Sequence, residues 1–235
     1  MEQITGAFAW MLFPVIVFIL FIVCGLIVLL IDRTVGTGVI TDQIKNPQEY
    51  TDNGKTGERI IYLTLEKLGI PENQIFRNVY IPISDNRTAE IDLIIVSKKG
   101  LFVIECKNYA GNIYGDMNRK KWIQYVGSKK SYFYNPFLQN LGHVKALKNY
   151  FKDFGEMPII PMISTIDRGN WKVRNLKDSD YLLGYNSHLK DIYSAIPDSS
   201  IMAEHWNKIT LMLSERSRPG EEIAQKHIEN VSSIR

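Results

Sequence analysis

The 235-residue sequence predicts an α/β domain built on a mixed sheet flanked by helices, preceded by one N-terminal transmembrane helix. Three observations lead there. Residues 8–31 are an uncharged apolar run. Residues 91–96 and 101–107 are apolar strands joined by the short polar turn Ser97-Lys98-Lys99-Gly100. The rest reads in the order helix, three strands, helix, strand, which suits helices packed on a sheet holding both parallel and antiparallel pairs.

After a short segment, residues 1–7, the run FAWMLFPVIVFILFIVCGLIVLLI covers residues 8–31. At ~1.5 Å of rise per residue it exceeds the ~30 Å hydrocarbon core of a bilayer. Pro14 and Gly25 are compatible with this, because membrane helices tolerate both residues. A cleavable signal peptide would need a basic start, a shorter apolar stretch and a small-residue cleavage site. The only charged side chain before the run is Glu2, and no A-x-A follows. The run is therefore expected to remain as an anchor in a lipid bilayer. Arg33 and Lys45 follow it and no base precedes it, which predicts a single-pass membrane protein with a cytoplasmic globular domain. The net charge of +3 is compatible with a polyanionic partner. The two cysteines, one of them Cys24 inside the apolar run, do not suggest a disulfide framework.

Residues 32–53 read as a polar linker, residues 54–170 as the core, and residues 171–235 as an extension that completes the core or packs on it. The core opens with a helix over residues 56–68, with Thr56 as N-cap and Gly69 as the stop. Residues 76–83 alternate Val79, Ile81 and Ile83 against Asn78, Tyr80 and Pro82, as a half-buried edge strand would. The next two strands are apolar on both faces, as central strands are. Residues 108–134 read as a looser glycine-containing stretch, rich in basic and aromatic residues. Asn135-Pro136 opens a second helix running to about residue 154, with Leu138, Leu141, Val144 or Ala146, Leu147 and Phe151 on its inner face. Residues 158–165 form another strand, and residues 201–215 a last helix.

The two central strands carry charge at the ends away from their turn. Alternation puts Glu105 and Lys107 on one face and Cys106 on the other. If Val96 pairs with Leu101, counting outward sets Asp92 opposite Glu105, with Cβ atoms about 4.5–5.5 Å apart. Two carboxylates so placed repel, and a divalent cation turns the repulsion into ligation. Mg²⁺ takes one or two carboxylates, keeps several waters and accepts phosphate oxygens; Mn²⁺ is a plausible substitute. Lys107, one pleat further along the same face, is placed to steer an attacking water. Arg119, Lys120, Lys121, Lys129 and Lys130, interleaved with aromatics, are candidate phosphate contacts. A solvated hairpin with its aromatics packed below is the plainer account of that stretch.

The segments GER at 57–59, EID at 90–92, KKGLFVIECKNYAGNIYG at 98–115, Trp122 and NPFLQN at 135–140 together resemble the nuclease-related domain, NERD, a family assigned to the PD-(D/E)xK nuclease superfamily. The resemblance covers about residues 50–170 and implies a restriction-endonuclease-like fold. It departs from the superfamily pattern in having Ile91, not proline, before the acid. The resemblance implies Asp92 and Glu105 as metal ligands, Lys107 as the catalytic lysine, Glu58 as a further acid that binds metal or steers water, and Gln139 as a polar residue supplied by the second helix. His143, one turn beyond Gln139, can share its face. The resulting expectation is a membrane-anchored, Mg²⁺-dependent nuclease acting on nucleic acid, with DNA foremost. The alternative is a tethered module of the same fold that binds nucleic acid or protein without turnover.

Overall fold

Asp52 opens the first helix. In the computed structural model, which describes residues 22–23, 42–43 and 52–217 apart from 85–86, 167, 178–181, 186–188 and 197, its side chain accepts from Lys55 N at 2.8 Å. Helix α1, Asn53–Lys67, therefore starts earlier than the expected Thr56 cap, and the Thr56 hydroxyl instead donates to Asp52 O at 2.6 Å. Gly69 ends it at φ +83, with its N–H on Glu66 O and that of Ile70 on Leu65 O. Glycine reaches this left-handed closure without the Cβ penalty.

The expected membrane run lies outside the described residues except for Ile22 and Val23, and most of the linker does likewise. Among the described residues no helix is long and apolar enough to cross a membrane.

Strands β1 (Ile75–Ser84), β2 (Arg87–Ser97) and β3 (Gly100–Lys107) form an antiparallel meander. Val96 pairs with Leu101 and Ser97 with Gly100, the register expected from the sequence. β1 is an edge strand, which accommodates Pro82. Val79 and Ile81 point inward as expected, but Ile83 is 52 % exposed because the register shifts between Pro82 and Ser84.

Residues 108–134 are more regular than expected. They form β4 (Gly111–Asp116), β5 (Lys121–Val126) and β6 (Lys129–Tyr134), three strands of a second sheet. Helix α2, Pro136–Tyr150, follows, with the Asn135 side chain accepting from Phe137 N. β7 (Ile159–Thr165) returns parallel to β3, β8 (Gly169–Arg174) runs parallel to β4, and β9 (Leu182–Tyr185) runs parallel to β7. The chain closes with α3 (Leu189–Ala195) and α4 (Ser200–Arg216). The sheets read β1-β2-β3-β7-β9 and β6-β5-β4-β8.

Burial on both faces explains the apolar central strands. On one face Ile61 and Leu65 of α1 and Leu189 of α3 pack on Leu93, Ile95, Phe102 and Ile104. On the other, Val144 and Leu147 of α2 and Ile209 and Leu213 of α4 pack on Ile94, Val96, Leu101 and Val103. A third cluster joins Trp122 and Trp171 of the second sheet to Phe137 and Ile163.

On the inner face of α2 the expected Val144, Ala146, Leu147 and Phe151 are buried. Leu138 and Leu141 are half-buried, while polar Asn140 and His143 are buried. Asn140 Nδ2 donates to Val103 O and Met162 O, each at 3.0 Å, tying the helix to β3 and β7.

Candidate metal and catalytic site

The site forms where β2 stops following simple alternation. Ile91 and Ile94 both belong to the cluster under α2, so the facing changes between them, and on β1 the same change falls between Phe76 and Val79. Asn78, the residue across from Asp92 in that register, has φ +49, and this step is missing from a ladder that is continuous from Ile75 to Pro82 on either side of it. Asparagine is among the few non-glycine residues that enter this region readily. The pairing of β2 with β3 ends at Leu93↔Ile104. One step beyond, Cys106 N donates to Asp92 Oδ2 at 2.7 Å, so the carboxylate reaches across to β3. Oδ1 has no protein partner among the described residues.

Glu105 is 1 % exposed and held from both sides. Lys107 Nζ donates to Oε1 at 2.5 Å, and His143 Nε2 lies 3.1 Å from Oε2. β3 supplies the first partner two residues on, where strand alternation returns to the same face. α2 supplies the second. Glu58, Asp92, Glu105, Lys107 and Gln139 line one cleft of about 550 Å³, joined by Arg168. Glu58 arrives from the second turn of α1. Gly57 brings that turn against β3, since a Cβ there would stand 2.6 Å from Asn108 Cβ.

The electrostatics divide the acids. Burial, then the Glu105 and Glu58 charges, push Asp92 well above the ordinary carboxylate range. Burial also raises Glu58, against the opposing pull of Arg77. Burial would raise Glu105 too, but the His143 hydrogen bond and the Lys107 charge outweigh it and hold it low. Burial disfavours the Lys107 ammonium, yet Glu105 and Asp92 more than compensate, so it stays protonated with a raised pKa. Lys107 is thus a cation held against the Glu105 carboxylate.

Asp92 Oδ1 and the Glu105 carboxylate offer two hard oxygen donors at an open cleft, which suits Mg²⁺ or Mn²⁺ completed by water. Among the described residues no group of three His, Cys, Asp or Glu side chains could hold a metal. Glu58 shares the cleft with the two acids without completing such a group.

Residues 53–166 match the family model of the nuclease-related domain. Over this stretch, just under half of its length, the chain is similar to a nuclease-related domain. The chain is also 29 % identical over 175 residues to an uncharacterized protein of Bacillus anthracis, covering 74 % of this chain and 82 % of that one. No solved structure matches it. The matched stretch contains α1 through β7, and with them Glu58, Asp92, Glu105, Lys107 and Gln139.

The basic residues separate into two groups. Lys129 pairs with Val126, which lines the cleft, and so borders it, whereas Lys130 pairs with Tyr125 and lies over the Tyr132 ring on the other face of the sheet. Arg119 and Lys121 line a different groove, and Lys120 is exposed beside them. His143 is the site partner that apolar spacing obscured; its position one turn after Gln139 was the available signal. Arg168 carried no signal in the sequence.

Proposed function

We propose that the protein is a metal-dependent phosphodiester hydrolase acting on nucleic acid, DNA foremost, held at a membrane by residues 8–31. The observation that carries this is the buried Glu105 carboxylate, fixed between Lys107 and His143 beside a second acid in an open cleft. Asp92 and Glu105 would hold the cation, Mg²⁺ or Mn²⁺, which neutralises charge developing on the phosphate. Lys107 Nζ, kept cationic, orients the attacking water and the phosphate oxygens. Glu58, whose pKa is raised by burial, is the acid tuned to take the water's proton. Lys129 at the rim meets the phosphate backbone.

Labelled DNA incubated with the full chain in detergent and Mg²⁺ tests the proposal. Cleavage should fall about 100-fold or more in Glu105→Gln and in Lys107→Ala. Cleavage unchanged in both variants rejects the mechanism.

One observation favours a second reading, a binding module without turnover. Both Glu105 oxygens already have internal partners, as they would in a purely structural ion cluster. That reading expects salt-sensitive binding and no cleavage under either metal.

A further inference from the structure

The inner face of the second sheet is covered: Ile113 is fully buried, and Trp122 and Trp171 nearly so. The outer face is not. Tyr114, Tyr132 and Tyr134 are 41 %, 62 % and 52 % exposed there, far above the usual exposure of large aromatics in a finished core.

Register places these rings in order. Tyr132 of β6 pairs with Ile123 of β5, Ile123 with Tyr114 of β4, and Tyr114 with Lys172 of β8, a row crossing all four strands. In the adjoining row Lys130 pairs with Tyr125, and Tyr125 with Asn112. On the other side Lys121 pairs with Tyr134, and Asp116 with Arg174.

Cations lie over the rings. Lys172 Nζ lies 5.2 Å from the Tyr114 centroid, and Lys130 Nζ lies 5.1 Å from that of Tyr132. Arg174, with its side chain 77 % exposed, contacts Asp116 at 3.2 Å. Lys121, Lys130, Lys172 and Arg174 thus outnumber the acid Asp116, and a groove of about 600 Å³ runs between Tyr114, Lys121, Lys172 and Arg174. This excess of positive charge complements a polyanion, while exposed rings at strand spacing suit the flat faces of unpaired bases. A duplex buries its base faces in its own stack and has no use for them.

We propose that the solvent face of the β6-β5-β4-β8 sheet is a platform for single-stranded nucleic acid. Its bases stack on Tyr114 and Tyr132, and its phosphates meet Lys130, Lys172 and Arg174. The proposal extends the nucleic-acid reading above to a second surface and a strand type, and it does not require hydrolysis.

The test is fluorescence anisotropy of labelled oligo(dT) with the full chain in detergent and EDTA, so that metal-dependent cleavage plays no part. Tyr114→Ala/Tyr132→Ala should weaken binding about tenfold or more, and Tyr114→Phe/Tyr132→Phe should restore it. Lys172→Glu/Arg174→Glu should weaken binding and flatten its salt dependence. Lys145→Glu/Lys148→Glu, on the exposed side of α2, should do neither. Equal binding by the alanine pair, failure of the phenylalanine pair to restore it, an equal loss in the α2 variant, or preference for duplex would overturn the proposal. A chain that cleaves DNA but shows no tyrosine-dependent binding refutes only the platform. A chain that binds through its tyrosines but never cleaves refutes only the hydrolase.

Discussion

Glu105→Gln isolates the charge of the buried carboxylate while keeping its shape. The wild-type group accepts from Lys107 at 2.5 Å and lies 3.1 Å from His143 Nε2. A hydrogen bond involving a charged group contributes ~1.5–3 kcal/mol, and a neutral one ~0.5–1.5 kcal/mol. Glutamine keeps the shape but not the charge, so both contacts fall at best from the charged to the neutral range. Lys107, 17 % exposed, can recover part of its solvation from the cleft, and Asp92 is relieved of a neighbouring charge. The net loss is ~2–3 kcal/mol, or a fall in Tm of roughly 4–12 °C for a chain of this size. Thermal unfolding of the metal-free full chain at neutral pH reads it. Because Glu105 has its pKa lowered in the fold, its contribution is in place above the ordinary value of 4.5 and is lost as pH falls through the lower, folded value. The Tm gap should therefore narrow below pH 4.5. A Glu105→Gln variant at least as stable as wild type at neutral pH refutes the clamp.

Asp92 makes the opposite prediction for metal affinity. Its raised pKa means a proton competes with the cation, so affinity should climb as pH rises above the ordinary 3.8 through the raised value. A flat calorimetric titration over that window contradicts it. Gly57→Ala should destabilise by ~1–3 kcal/mol through overpacking against Asn108, although alanine is the better helix former by ~1 kcal/mol. Denaturant unfolding measures the sign, and a more stable variant shows that α1 does not press on β3. Deleting residues 8–31 should move the protein from the membrane pellet to the supernatant on fractionation. Retention in the pellet means something else holds it.

The central meander was legible because strands covered on both faces must be apolar throughout, and Ser97 to Gly100 marked the turn between them. That register set Asp92 and Glu105 at the same end of neighbouring strands. How the Asp92 carboxylate is aimed was not legible, because counting assumes regular alternation and the chain breaks it at Asn78 and Asp92. The second sheet was hidden for a different reason: its strands bury one face only, and Lys and Tyr on the other mask the period. On α2, apolar spacing held for Val144, Leu147 and Phe151 but also favoured Leu138 and Leu141, which are half-buried, whereas polar Asn140 and His143 are buried. Their partners are the Val103 and Met162 carbonyls and the Glu105 carboxylate, which come from elements distant in sequence. Hydrophobic periodicity cannot report a polar group whose burial is compensated from elsewhere.

Manganese(II) binding followed by electron paramagnetic resonance bears most directly on whether Asp92 and Glu105 act as a pair. The full chain should take up one ion per site, weakened sharply in Asp92→Asn and in Glu105→Gln alike. Uptake unchanged in either variant would mean that these acids do not share a cation.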